Sequence, residues 1–425
     1  MTTESTSPPA APSLLRNRGF LWLWVGQTIS QFGGQFSNLA IPVLAVTILN
    51  ATELQMGYLN AAGTAAFLIV GLPAGAWVDR WLKRRTMIVA DLVRAVALAA
   101  IPALFFAGVL QLWHVYIVAA VIGVATVFFD VSYQSYIPIL VKPEQISTAN
   151  SRLEATAQVA HIGGPGLAGA LLSVLSAPVL LLADAVSFLV SAVSLWRIRD
   201  EEVPAPREER RPLRVEIAEG VRFVAHQPLI RRVVGTTAIF NLFGTMTFTL
   251  YPLFVLRDLH VSPAGLGITL SFGAAGGLLG AVLTPKLAKW FGEGAVIPLS
   301  AIASALLLAL LPLAAVVPFP AVVPLLAVAE FGQSFMVLVY NITQVSLRQR
   351  ICPPKLLGRM NASIRFVVWG VMPIASVAAG ALGAALGVLP VMWIAVIGSL
   401  AGCAFVVFSP LWKLRTLPTQ PDEQG

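Results

Sequence analysis

The 425-residue chain is 57% apolar and only 11% charged, with a mean hydropathy of +0.82 and a net charge of +8. Soluble domains carry about 25% charge, so this composition excludes an ordinary soluble enzyme, a nucleic-acid-binding module and a disordered chain. It is the composition of an integral membrane protein, in which each spanning helix needs about 20 apolar residues.

In chain order, residues 1–18 form a polar, Pro-rich tail. The tail lacks the basic start and A-x-A site of a secretory signal, so the first helix is expected to be retained. Apolar runs bounded by charges, Pro, Gly and polar caps predict helices near 19–49, 53–78, 85–108, 113–138, 147–176 and 178–197, a first bundle over 19–197. A charged connector over 198–228 follows, in which VEIAEGVRFVAHQ fits either a short amphipathic helix at the membrane surface or a solvated linker. Helices near 229–256, 263–290, 295–317, 320–347, 360–386 and 388–412 make a second bundle over 229–412, and 413–425 is a polar tail. Cys352 and Cys403 lie far apart, and His114, His161, His226 and His260 are scattered. That spacing supports neither a disulfide framework nor a metal site, and no cofactor is expected.

The cations sort by side. Arg16 and Arg18, Arg80 with Lys83, Arg84 and Arg85, Lys142 and Arg152, the connector arginines, Lys286 and Lys289 share one face of a twelve-span chain. Arg348, Arg350, Lys355, Arg359, Lys413 and Arg415 join them, while Arg257 falls on the other face. The positive-inside rule makes the crowded face cytoplasmic, giving a multi-pass cell-membrane protein with both termini inside.

The halves echo each other about 210 residues apart. Thr52 and Ser262 stand at helix starts, Gly57/Gly267 and Gly63/Gly273 follow, and Asn150 and Pro165 match Asn361 and Pro373. Two similar bundles around a central site can rock to expose it to either face in turn, although repeats also occur in channels.

Helix 2 ends in Gly75-Ala76-Trp77-Val78-Asp79-Arg80-Trp81-Leu82-Lys83-Arg84-Arg85. Gly75 permits close helix approach. Asp79, a carboxylate at the membrane boundary, calls for an arginine or a helix N-terminus, for which the start of helix 11 near Asn361 is a candidate. Arg84 and Arg85 suit either such a gate or lipid phosphates. Asp91 and Arg94, three apart on helix 3, read as a local pair extending that network. In helix 5, Gly164-Pro165-Gly166-Leu167-Ala168-Gly169 combines a proline that frees a carbonyl with glycines that admit a neighbouring helix. Packing alone accounts for that string equally well.

The 75–85 run resembles the loop 2–3 signature of the major facilitator superfamily, G-x-L-A-D-R-x-G-R-K. Asp79, Arg80, Lys83 and Arg84 match it, and Trp77, Val78 and Leu82 depart from it. The stretch from Gly164 to Gly169 is similar to the G-P-x-x-G-G antiporter motif of exporters in that superfamily, with Ala168 departing. AEGVRFVAHQPLIRR, NITQVSLRQRICPPKLLGRMNA and FFDVSYQSYIPILV look like the branch of macrolide, tetracycline and multidrug exporters and the enterobactin exporter. The resemblance covers nearly the whole chain. It implies an all-α membrane fold of twelve helices in two six-helix pseudo-repeats, with helices 1, 4, 7 and 10 lining a central cavity. Gly34 stands where many relatives carry an acid, which argues against proton coupling by helix 1.

Acids inside the bilayer are informative because they are expensive. Glu330, about ten residues into helix 10, and Asp130, in helix 4, are placed near the water path by the resemblance. A carboxylate there can exchange a proton as access alternates, coupling inward proton flow to outward cargo flow; Glu330 ranks first and Asp130 second. Each also fits a fixed hydrogen-bond partner of neighbours such as Gln333 or Tyr133. Asp184 in helix 6, followed by Ser187 and Ser191 at helical spacing, reads as a structural pair or cap. Gln27, Gln31, Gln35 and Asn38 make a polar stripe on helix 1, which Asn241 and Phe248 of helix 7 and Phe331, Gln333, Tyr340 and Asn341 of helix 10 can face. This mixed wall suits bulky amphipathic molecules, and the same polar residues also serve as interhelical glue.

The expected function is proton-coupled export of small amphipathic or hydrophobic compounds, drugs or natural products. The alternatives are proton-coupled uptake of a small solute, a dedicated siderophore or secondary-metabolite exporter, and a non-transporting scaffold. The expected partners are a small-molecule substrate, protons and the lipid bilayer, without nucleic acid, and a monomer suffices. No nucleophile, base and metal ligands gather at one depth and no GxxxxGK[ST] loop occurs, so an enzyme is not expected.

Overall fold

The computed structural model describes residues 14–78, 80–142, 145–199, 202 and 221–416. Most of the N-terminal tail, Asp79, most of the connector and residues 417–425 lie outside the described residues. Residues 221–226 of the connector are helical.

Twelve helical crossings follow one another. The first six are α1 (Arg18–Val43), α2 (Glu53–Ile69 continuing as Gly71–Val78), α3 (Lys83–Phe106), α4 (Leu112–Leu140), α5 (Ile146–Leu172) and α6 (Ala177–Trp196). The second six are α7 (Pro228–Leu253), α8 (Pro263–Phe291), α9 (Val296–Leu308 continuing as Leu310–Leu313), α10 (Phe319–Ile351), α11 (Pro354–Leu386) and α12 (Val388–Val407). Among the described residues, nine helices are long and apolar enough to cross a membrane by themselves. The other three carry polar cargo or a break: α1 its Gln/Ser/Asn stripe, α5 its polar first half, and α2 an interruption at Val70.

The interruptions at Val70 and Ala309 have one cause. Pro73 and Pro312 lie three residues beyond each, and a proline inside a helix lacks the N–H and clashes with the carbonyl four residues back. Helix 11 starts at Pro354, earlier than the hydropathy implied, because Pro353-Pro354 supplies a favourable first turn.

Backbone detail repeats at the predicted offset. Pro42 in α1 and Pro252 in α7 are each followed by a π-helical turn, Leu44–Ile48 and Phe254–Asp258. The i→i+5 bonds are equivalent: the Leu49 N–H donates to the Leu44 carbonyl as that of Leu259 does to Phe254. Asn50 and His260 both take positive φ, 51° and 55°, and Thr52 and Ser262 then cap α2 and α8 through their hydroxyls. Two six-helix pseudo-repeats thus share one local design.

Within the first half, α1 packs on α5 and α6, and α3 and α4 pack on α6 and α2 respectively as well as on each other. Within the second, α8 and α9 pack on α10, and α7 and α9 on α12. The halves meet along α2–α11 and α5–α8. The buried core is asymmetric about the membrane midplane. Toward the face opposite the termini, one cluster runs through both halves, joining Leu44, Met56 and Leu180 to Leu250, Phe254 and Leu308. Toward the terminal face it splits: Phe20, Met87 and Tyr136 belong to one half alone, Ile297, Tyr340 and Val406 to the other, and Ile230 and Met360 to the α7–α11 seam.

Candidate functional site

The seam between halves is sealed toward the far face by missing side chains. A Cβ on Gly57 of α2 would lie 2.6 Å from the Ser376 carbonyl oxygen and 3.0 Å from Gly380 Cα on α11. The pseudo-equivalent crossing joins α5 to α8: a Cβ on Gly169 would lie 3.0 Å from Ala264 Cα, and one on Gly267 would collide with the Pro165 carbonyl. Pro165 and Gly169 of the antiporter-like string therefore sit directly on the opposite half. Close backbone approach of this kind is what small residues permit in membrane helices. Polar bonds reinforce the seal. Asn60 Nδ2 donates to Thr249 Oγ1 (2.8 Å) and Ser376 Oγ (2.9 Å), and the Gly166 N–H donates to Ser271 Oγ (2.8 Å). Arg257, which also lies 3.5 Å from Asp258, forms an ion pair with Glu53 across the halves.

Beneath this seal lies a cavity of about 320 Å³ bounded by both halves, with Asn38, Asn60, Thr126, Phe248 and Tyr251 in its wall. Each half also has a polar pocket of its own. One of about 650 Å³ lies between α1, α4 and α5 and includes Trp24, Gln27, Gln31, Tyr133 and Glu154. The other, of about 260 Å³, lies among α7, α9, α10 and α12 and gathers Asn241, Gln333, Tyr340 and Asn341. The polar residues singled out on α1, α7 and α10 are therefore divided among three spaces. Asn38 and Phe248 face the shared cavity, Gln27 and Gln31 the first half, and the α7 and α10 polar groups the second. Tyr340 is nearly fully buried, its hydroxyl shared with Thr237 Oγ1 (2.9 Å) and donated to the Val233 carbonyl (3.1 Å). Phe331 puts its backbone against Gly276 of α8.

Gln35 turns away from the open space. Its Cβ and Cγ fill the place a Gly164 side chain would take, each 2.5 Å from that Cβ position, and its amide nitrogen lies 3.2 Å from His161 Nδ1. His161 is exposed on α5. It is a titratable group that hydropathy reading passed over, and the only sequence signal was its place one turn before Gly164 and Pro165.

The candidate acids fall into different settings. Glu330 lies against Gly273, where a Cβ would be 3.2 Å from its Oε2, with the Tyr251 hydroxyl close by. The Tyr251 hydroxyl donates its one hydrogen to Thr269 Oγ1 (3.3 Å), and Tyr251 lines the shared cavity, standing between Glu330 and that space. Asp130 is exposed, one turn from the cavity residue Thr126 and one turn from Tyr133 and Gln134 of the first-half pocket. Asp91 and Arg94 form a buried ion pair, and the Arg94 guanidinium lies between the rings of Phe129 (4.2 Å) and Phe188 (4.4 Å). Asp184 accepts hydrogen bonds from Ser187 Oγ (2.8 Å) and from Ser37 Oγ of α1.

In the 75–85 run, Asp79 lies outside the described residues; Gly75 lies within Gly71–Val78, and Arg80 and Arg85 are exposed. Arg84 donates to the Ile198 carbonyl. Glu202 accepts from the Lys83 N–H (2.7 Å) and the Arg84 N–H (3.2 Å), and its carboxylate is 3.6 Å from Lys83 Nζ. An acid from the connector thus caps the positive end of α3.

The transmembrane secretion effector family matches residues 7–424. The chain belongs to this family of major facilitator transporters. It is a multi-pass membrane transporter of small molecules, not an enzyme. Over 369 residues it is 27% identical to the multidrug efflux pump Tap of Mycolicibacterium fortuitum, covering 84% of this chain and 87% of that protein. Over 399 residues it is 22% identical to macrolide efflux protein A of Streptococcus pyogenes, covering 94% and 97%. Among solved structures, the nucleoside transporter NupG superposes with a TM-score of 0.75 at 14% identity, over 92% of this chain and all of that one. A bacterial homologue of the iron transporter ferroportin, in an inward-facing state, gives 0.73 at 16% identity, over 93% and 99%. At such identities these structures speak for the fold.

Proposed function

We propose that the protein is a proton-driven exporter of small amphipathic compounds, working by alternating access with both termini in the cytoplasm. The observation that carries this reading is a seam closed at one face over a cavity bounded by both halves, with Asp130 one turn from its wall residue Thr126 and Glu330 packed against Gly273 of α8. With the basic loops on the terminal face inside, the closed seam is the outer gate, and the conformation is open inward. The cavities have Trp24, Tyr133 and Phe248 beside amides and hydroxyls, a wall for molecules held by area and a few hydrogen bonds. Export rather than uptake is supported by the similarity to drug and macrolide efflux proteins.

The outer gate is built to open. Its polar bonds are worth about 1 kcal/mol each, and the half-exposed Glu53–Arg257 pair roughly 0–1 kcal/mol. Differential binding of cargo and proton can supply that sum. Glu330 serves as the coupling acid: a proton arriving from outside neutralises it and releases cargo, and its loss to the cytoplasm restores the site. Asp130 takes the same part on the first half. The molecule functions as a monomer, since both halves of the cavity come from one chain.

Inverted membrane vesicles loaded with an inside-acid gradient test this. The proposal expects an amphipathic dye to accumulate, uncoupler to abolish accumulation, and Glu330→Gln to lose gradient dependence. Dye leaving acid-loaded vesicles would instead show uptake by symport, and indifference of the wild type to the gradient would remove proton coupling.

A further inference from the structure

Three carboxylates in the first half face one base. Asp91 on α3, Asp130 on α4 and Asp184 on α6 all lie within electrostatic reach of Arg94 on α3. From α1 the cluster receives only the Ser37 hydroxyl. Asp91 is fully buried and Asp184 is 1% exposed, whereas Asp130 is exposed, one turn from the cavity residue Thr126. Arg94 is committed to Asp91 and enclosed by two aromatic rings, so Asp184 is left without a direct cationic partner. An uncompensated charge at membrane depth is strongly unfavourable. The cluster is also incompletely satisfied: Ser191 Oγ leans toward Asp91 without completing a bond, and Asp91 Oδ2 and Arg94 Nε are unpartnered.

The geometry points to Asp184 as the seat of an exchangeable proton, a cation site in the first half distinct from Glu330. Two features specify a proton rather than a metal cation. The space is filled: a Cβ on Gly33 would lie 2.7 Å from Ser187 Cβ and collide with Asp184 Oδ1, leaving no volume for a hydrated or partly dehydrated ion. The partners are both hydroxyls, each able to donate to a carboxylate or accept from a carboxylic acid, so Asp184 keeps two hydrogen bonds in either state.

Ser37 supplies the route. It bonds Asp184 on one side and lines the shared cavity on the other. Protonated Asp184 passes its proton to Ser37 Oγ as Ser37 gives its own hydrogen to a water entering the cavity, leaving the carboxylate and a hydronium ion; the reverse transfer returns the proton. Proton number is conserved at each step. The link of this site to transport rests on the coupling reading above, but the site itself needs no cargo.

Infrared spectroscopy of the full chain in lipid nanodiscs, without any drug, reads the site directly. The wild type should show the carbonyl stretch of a carboxylic acid near neutral pH, titrating away on alkalinisation and missing in Asp184→Asn. Ser37→Ala should keep the band, move its frequency and slow its hydrogen–deuterium exchange roughly tenfold. Replacing sodium with choline should change nothing. A wild-type spectrum superimposing on that of Asp184→Asn overturns the proposal, as does Ser37→Ala leaving both frequency and exchange unaltered. A band that grows only when sodium is withdrawn assigns the site to sodium. Failure of dye export with the band intact would sink the exporter reading alone.

Discussion

Gly164 lacks a side chain because Gln35 occupies the space one would need, and from there Gln35 reaches the His161 ring. Overpacking a filled core costs about 1–3 kcal/mol, so Gly164→Ala should lower thermal stability in lipid by that amount. Gln35→Gly in the same chain should recover part of the loss, because neighbouring substitutions do not add. Strictly additive losses in a thermal unfolding series would show that the two residues are not in conflict. Residue roles of this kind were the least legible part of the sequence. The helix-1 stripe announces four polar positions, but Gln27 and Gln31 line one pocket, Asn38 another, and Gln35 packs between helices. Periodicity assigns a face to each residue, and only the neighbouring helices decide which faces border open space. The bond of Ser37 to Asp184 spans 147 positions and leaves no local trace.

At the scale of helices, the two glycine crossings make a matched pair. Gly57 on α2 and Gly267 on α8 stand 210 residues apart, and each lets its helix press backbone to backbone on the other half. Gly57→Ala and Gly267→Ala should therefore act alike, each loosening the seam opposite the termini and shifting the conformational balance about tenfold toward opening at that face. Gly63→Ala is the control, since its Cβ would meet nothing within 4 Å. The readout is labelling of Asn38→Cys by a membrane-impermeant maleimide from the face opposite the termini, after Cys352 and Cys403 are replaced by Ala. Equal labelling in all three variants would show that these crossings do not set the gate. Helices and their repeat were legible because hydropathy and caps are local properties. The interruptions at Val70 and Ala309 follow from Pro73 and Pro312, whose effect depends on whether tertiary contacts keep a prolyl helix continuous, as they do at Pro165 and Pro373.

For the whole molecule, the division of the core is the decisive feature. One apolar cluster bridges the halves at the end opposite the termini, and separate clusters serve each half at the terminal end. In the proposed alternating-access cycle, rocking exchanges this bridge for a corresponding one at the terminal face, while each half keeps its own packing. Cation sorting in the sequence divides the loops between two faces and yields an expected orientation, whereas which face of the seam is closed left no trace in the sequence, since it depends on contacts between distant helices. A disulfide between Glu53→Cys and Gly383→Cys tests the claim most directly. The Cβ of Glu53 and the position a Gly383 Cβ would take are 2.9 Å apart at the seam opposite the termini, close enough for a bridge after small backbone adjustment. In a background without Cys352 and Cys403, the oxidised protein should stop exporting dye and recover on reduction, with both single variants active throughout. Undiminished export by the cross-linked protein would contradict the account.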